Sequence, residues 1–139
     1  NAEDEPSKNL TPYDQRERQS TKDFIIGSIF KTSIDNTHPM AFGYDDTYFS
    51  LKLGGNSYDL LDNGYNVGYI NGDAKSVSGF SGKDAMKRQA NTMIFGEERH
   101  GQGSFIYMVD NPLFRSFWEN GKLFFVNSIF FVNNNKFRI

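Results

Sequence analysis

Few side chains in this sequence can move a proton near neutral pH or ligate a metal, and its two histidines come first. His38 sits in "THP" and His100 in "RHG". A catalytic zinc takes three protein ligands, commonly His with Asp or Glu. Neither histidine belongs to an H-x-x-E or H-E-x-x-H frame, and both fall at turns, so a structural or solvated role is the better reading. Ser81 lies in "GFSGK", close to the serine elbow G-x-S-x-G, but the second glycine comes one residue early. A phosphate loop fails too, because Lys83 is followed by Asp84 rather than Ser or Thr. An enzymatic reading with Ser81 as nucleophile and His100 as base needs the two within about 2.6–3.2 Å and a third group to orient the base. A turn opening a helix accounts for "GFSGK" more simply. With no cysteine, the chain has no disulfide, no thiolate metal site and no cysteine nucleophile. No cofactor is expected in this chain.

Two further constellations remain. "DNGYNVGYINGD" (62–73) gathers Asp, Asn and Tyr. Tyrosine faces suit sugar rings, so Tyr58, Tyr65 and Tyr69 are candidate contacts for a glycan or peptide. Calcium would suit the oxygens, but the EF-hand spacing is missing, and turn chemistry alone explains the tract and is the better reading. In "VDNPLFRSFWENGKLFFVNSIFFV" (109–132) a single arginine, Arg115, stands among seven Phe and Trp rings. An arginine so placed pairs with a carboxylate such as Asp110 or Glu119 while stacking on a ring. Asp110, Arg115 and Trp118 are therefore the expected structural keystone. A ligand-carboxylate clamp would use the same geometry.

The totals restrict what these residues can serve. A chain of 139 residues is one domain by length. Its charge of -2 and pI of about 5.6 create no field that would attract nucleic acid or an anionic membrane. No apolar run reaches the ~18 residues of a transmembrane helix, so no membrane insertion is expected. The first residue is Asn rather than Met, which suggests a processed product or a piece of something longer. The 14 Phe and 7 Tyr favour pleated surfaces and hence strands.

The elements that must position these groups follow from pattern. Residues 1–11 read as a linker or disordered terminus, and 12–139 as a single accessory domain. Thr11 and Pro12 mark a helix start, but the helix they open is almost wholly polar. Strands are expected in "FIIGSIFKTSID", "TYFSLKL", "NVGYI", "KSVSGF", "TMIFGEE" and "SFIYMVD", the last two as a close pair around "RHGQG". "SGKDAMKRQANT" is the best middle helix. "NGKLFFVNSIFFV" suits either a buried helix or a strand by pattern alone. The expected class is α/β or α+β, a mixed sheet of about five to seven short strands with a buried C-terminal helix. A sheet lacking strands would expose an edge, through which a homodimer could form.

Three stretches also carry a resemblance. "YDQRERQSTKDFIIGSIFKTSIDNTHPMAFGY", "SGFSGKD" and "FGEERHGQGSFIYMVDNPLFRSFWENGKLFFVNSIFF" resemble the C-terminal region of bacterial zinc carboxypeptidases of the M14 type, notably the large secreted ones of Bacteroidetes. The most specific motifs are "DNTHPMAFGY" (35–44) and "DNPLFRSFWENGKL" (110–123). The resemblance implies part of a flavodoxin-like, class I glutamine amidotransferase-like domain, with a strand at 104–109, an ordered loop at 110–120 and a closing helix at about 120–132. It implies a periplasmic or secreted protein whose zinc and catalytic glutamate lie in an upstream peptidase domain. That domain would be this chain's main partner, contacted through the first helix and the surface around His38, Pro39 and Tyr44. Peptide or cell-wall glycan is the other partner considered. No catalytic residue transfers to this chain, and it is expected not to be an enzyme.

Overall fold

The computed structural model describes residues 10–132. Most of the tract read as a linker, and the residues after 132, lie outside that range. A polar helix α1 (Tyr13–Lys22) leads into strand β1 (Ile25–Ile34), followed by β2 (Thr47–Lys52), β3 (Tyr65–Ile70) and β4 (Ser76–Ser81). A short helix α2 (Lys83–Lys87), the hairpin β5 (Thr92–His100) and β6 (Gly103–Met108), and helix α3 (Glu119–Phe130) complete the chain. The helix at the start begins one residue later than its capping signal suggests: Pro12 occupies the N-cap and makes no side-chain cap bond. As its polarity predicts, α1 buries no residue. Just past its end, Arg88 ties this corner to the segment after α2 through an exposed ion pair with Asp23 at 3.0 Å and a bond to the Asp23 carbonyl at 3.2 Å.

The strands form one six-stranded sheet in the order β2-β1-β3-β5-β6, with β4 also on β1. All its strand pairs are antiparallel. The expected mixed sheet is thus corrected: the described residues contain no parallel pair, whereas a flavodoxin-like layer is built of parallel strands. Parallel neighbours need crossovers of a dozen or more residues, usually helical. Among the described residues the helices between strands are only α2, of five residues, and the three-residue 3-10 turn Pro39–Ala41.

Strand β1 organises the sheet. Its one edge pairs with β2 from Ser28↔Lys52 to Ser33↔Thr47. Its other edge is shared by β3 at Ser33 and Ile34 and by β4 from Ile25 to Phe30. Since β3 and β4 both run against β1, residues 65–81 are one long run along that edge, interrupted by the "NGDAK" excursion. Past the interruption β3 diverges to pair with β5, which curls the sheet. The β1–β4 ladder is bulged at Ile26 of β1 and at Val77 of β4, and between them Gly79 (φ +86) permits the close approach: a Cβ there would stand 2.1 Å from the carbonyl oxygen of Gly27.

One buried cluster forms the core, with Phe30, Ile34, Tyr48, Val67, Ile70, Ile94 and Phe95 among its members. Helix α3 closes it with one side chain. Phe124 is fully buried, stacked between Phe95 at 4.1 Å and Tyr44 at 4.0 Å, with Tyr48 edge-on at 5.2 Å. Gly121 lets the helix seat this deeply, because a Cβ there would lie 2.2 Å from the carbonyl oxygen of Pro112. The expectation of a buried C-terminal helix needs revision. Its bounds agree with the sequence reading, but only Gly121, Phe124 and Asn127 are buried. Leu123, Phe125, Val126, Ile129 and Phe130 are exposed, because among the described residues no further layer packs over α3.

Candidate functional site

Three polar constellations hold this architecture together, and each involves a residue the sequence singles out. The first is at the loop after β1. His38 is buried, and its Nδ1 accepts the backbone N–H of Met40 at 3.2 Å. Its Nε2–H is therefore the donor to Glu97 Oε2, 2.9 Å away. The other Glu97 oxygen accepts from the Ser104 hydroxyl, and the Tyr65 ring lies 5.2 Å from the imidazole. The order is Ser–Glu–His, with the carboxylate in the middle. A nucleophile needs the imidazole as its immediate neighbour, and here both ring nitrogens are committed elsewhere. The set ties the 35–44 loop to β5 and β6.

Burial is the largest influence on His38 and lowers its pKa from 6.5; the negative charges of Glu97 and Asp35 oppose it, and Arg99 reinforces it. The neutral ring is thus favoured in the folded state relative to the unfolded one. The stability this gives is complete above the unfolded value of 6.5 and is lost as pH falls through the lower folded value. The melting temperature of the native chain should accordingly drop as pH falls below 6.5, and a His38→Gln chain should show a shallower drop. Parallel slopes for the two would overturn this assignment.

The second constellation is a buried ion pair. Lys52, 1% exposed, donates to both Asp110 oxygens at 3.1 and 3.3 Å and points at the Asn56 carbonyl at 3.4 Å. The Ser50 hydroxyl adds a 2.6 Å bond to Asp110. Asp110 follows β6, while Ser50 and Lys52 lie on β2, so the two ends of the strand path meet here. Side chains rather than a backbone ladder fasten this seam. Above it, burial raises the Tyr48 hydroxyl pKa, against the opposing influence of the Trp118 indole.

The third latches α3. The Tyr44 hydroxyl donates to the Asn120 carbonyl at 2.7 Å and accepts the Phe124 N–H at 3.1 Å, and burial pushes its pKa up to about 12. Buried Asn127 donates to the carbonyls of Met40 and Phe42 at 3.0 and 2.8 Å. Met40, Phe42 and Tyr44 all come from the "DNTHPMAFGY" loop, and the Tyr44–Asn120 bond joins the two motifs most specific to the resemblance.

The expected site residues thus fall in several places. His38 and Tyr44 are engaged in holding the fold rather than presented for contact. Tyr65 and Tyr58 are exposed, at 48% and 55%, while Tyr69 is partly buried on β3. Tyr65 and Tyr69 stand four residues apart on one strand, and Tyr58 precedes the bridge to the far edge of β5. The keystone reading is corrected at Arg115. It is exposed, has a left-handed backbone (φ 48) and lies over its own neighbour Phe114 at 5.1 Å. Asp110 takes Lys52 instead. Trp118 is partly buried beside Tyr48. Ser81 and His100 are not brought together: Ser81 pairs with Ile25 at the start of β1 and its hydroxyl finds no partner, while His100 ends β5 against Phe105. Among the described residues no group of three or more His, Cys, Asp or Glu is placed to hold a metal, and no helix is long and apolar enough to cross a membrane.

What the interior does not use lies outside. Phe125, Val126, Ile129 and Phe130 give α3 an apolar outer face, and Phe42, 66% exposed, continues it through an edge contact with Phe131 at 5.5 Å. Compared with protein families, curated proteins and solved structures, the chain finds no match.

Proposed function

We propose that this chain is a non-catalytic accessory domain of a zinc carboxypeptidase-like protein, packing on or positioning its peptidase domain. The family rests on the two sequence motifs at 35–44 and 110–123, and with it a periplasmic or secreted location. The role rests on one observation, the apolar outer face of α3. An exposed apolar patch of this kind marks a contact surface. Zinc and the catalytic glutamate would belong to the peptidase domain and not to this chain.

The first test is the mass of the native protein in its source, detected with an antibody against this chain. A mass several-fold above 15.9 kDa, with an upstream H-x-x-E and a distant histidine, supports the reading; a mass near 15.9 kDa removes it. In the longer protein, Val126→Glu with Ile129→Lys should loosen the domain contact, seen as faster proteolytic separation. The same pair should change the stability of the isolated chain by only about 0.5 kcal/mol, since both side chains are exposed. Unchanged proteolysis would remove α3 from the interface.

A second reading, an autonomous glycan- or peptide-binding module, is favoured by the exposed rings of Tyr58 and Tyr65. It requires a muropeptide or oligosaccharide to stabilise the chain by roughly 2.7 kcal/mol at a hundredfold excess over its Kd. No shift across a broad panel dismisses it.

A further inference from the structure

The sequence contains Asn-Gly at 63–64, 71–72 and 120–121. In such a pair the glycine amide nitrogen can attack the asparagine side-chain carbonyl unhindered by a Cβ, and the structure treats the three very differently. Asn120 is inside α3, where helical geometry turns the next amide nitrogen away from the side chain, and its backbone carbonyl accepts from the Tyr44 hydroxyl, which holds that geometry. Asn71 is tethered: its amide nitrogen donates to the Ser33 hydroxyl at 2.7 Å. Asn63 is exposed in the bend at 62–64 before β3, and no hydrogen bond of its side chain is recorded among the described residues.

We propose that Asn63 is a site of spontaneous deamidation and isoaspartate formation, selected over the other two pairs by its free side chain. The Gly64 nitrogen bonds to the Asn63 side-chain carbonyl carbon, the bond from that carbon to the amide nitrogen breaks, and ammonia leaves with the proton given up by Gly64. Water then opens the five-membered imide at either carbonyl. One opening yields aspartate; the other yields isoaspartate, in which the main chain runs through the side-chain carbon. No oxidant or enzyme is required, and the net charge becomes more negative by one.

The position gives the reaction a structural consequence. Tyr65, two residues on, opens the β3–β5 pairing opposite Glu97, and a Cβ at Gly64 would stand 2.6 Å from the Glu97 carbonyl oxygen. An extra main-chain carbon at 63 thus enters directly beside the residue that holds His38.

The test is incubation of the full native chain in mildly alkaline buffer, followed by peptide mapping for the mass gain of amide-to-acid conversion and isoaspartyl-methyltransferase labelling. Asn63 should convert roughly tenfold faster than Asn71, whose reaction must first break a hydrogen bond, and faster still than Asn120. Asn63→Gln should fold normally and lose the early labelling. The isoaspartate-containing fraction should melt below the unmodified chain. Conversion of Asn71 or Asn120 at the same rate, or early labelling that survives in Asn63→Gln, would overturn the proposal. So would an Asn63 that outlasts complete conversion of the unfolded chain.

Discussion

A Phe124→Ala chain should lose about 3–5 kcal/mol of stability, the range for truncating a fully buried phenylalanine. The ring is the sole aromatic that α3 sends into the core, and it has aromatic neighbours on both faces and at its edge: Phe95, Tyr44 and Tyr48. Its removal leaves a cavity those three cannot fill without tilting, and each stacked pair contributes about 0.5–1.5 kcal/mol beyond its buried area. Neighbouring substitutions make the test specific. Phe125→Ala and Phe130→Ala, on the exposed side of the same helix, remove the same number of atoms and should cost far less. Urea unfolding of the three variants decides it. Equal losses would mean that α3 does not dock through Phe124.

The second large effect is at the seam. Asp110→Ala should destabilise the chain by about 3–5 kcal/mol, because it strands the ammonium of Lys52 in a site that is 1% exposed. The cost is that of an uncompensated buried charge and is not a measure of what the pair contributes. The paired replacement Lys52→Met with Asp110→Leu removes both charges and should recover most of the loss. The hydroxyl of Ser50 sets a limit on that recovery, since it loses its 2.6 Å acceptor. If the double variant is no better than Asp110→Ala, the seam depends on the ions themselves.

The strands were readable because alternation over six to ten residues is a local property, and all six expected strands exist. What alternation does not reveal is which face of β2 points inward. In "TYFSLKL" the apolar set is Phe49, Leu51 and Leu53, yet Tyr48, Ser50 and Lys52 are buried while Phe49 and Leu53 are 40% and 53% exposed. The ion pair with Asp110 decides this, and nothing local announces a partner 58 residues away. The same limit explains Arg115: nearness in sequence suggested Asp110 or Glu119, and the fold gave Asp110 to another strand. Asn127 interrupts an apolar run and reads as a break in a pattern, although it is the buried latch to Met40 and Phe42. Glu97 showed no sign of a role because it opens the charged run Glu97 to His100, which reads as a solvated strand end, and it meets His38 only through the β1–β2 loop.

The order in which the pieces leave the ribosome adds a consequence of the α3 latch. Every group that α3 covers, from Met40 and Phe42 through Tyr48 to Phe95, is synthesised before it. The sheet can pair its strands while its concave side is still bare, and the fold is sealed only when a segment 87 residues downstream of Met40 emerges. Loop closure over that span is slow relative to hairpin formation. A nascent chain stalled before residue 119 would therefore present an open aromatic bowl to its surroundings, and chaperone dependence should be concentrated in that interval of translation.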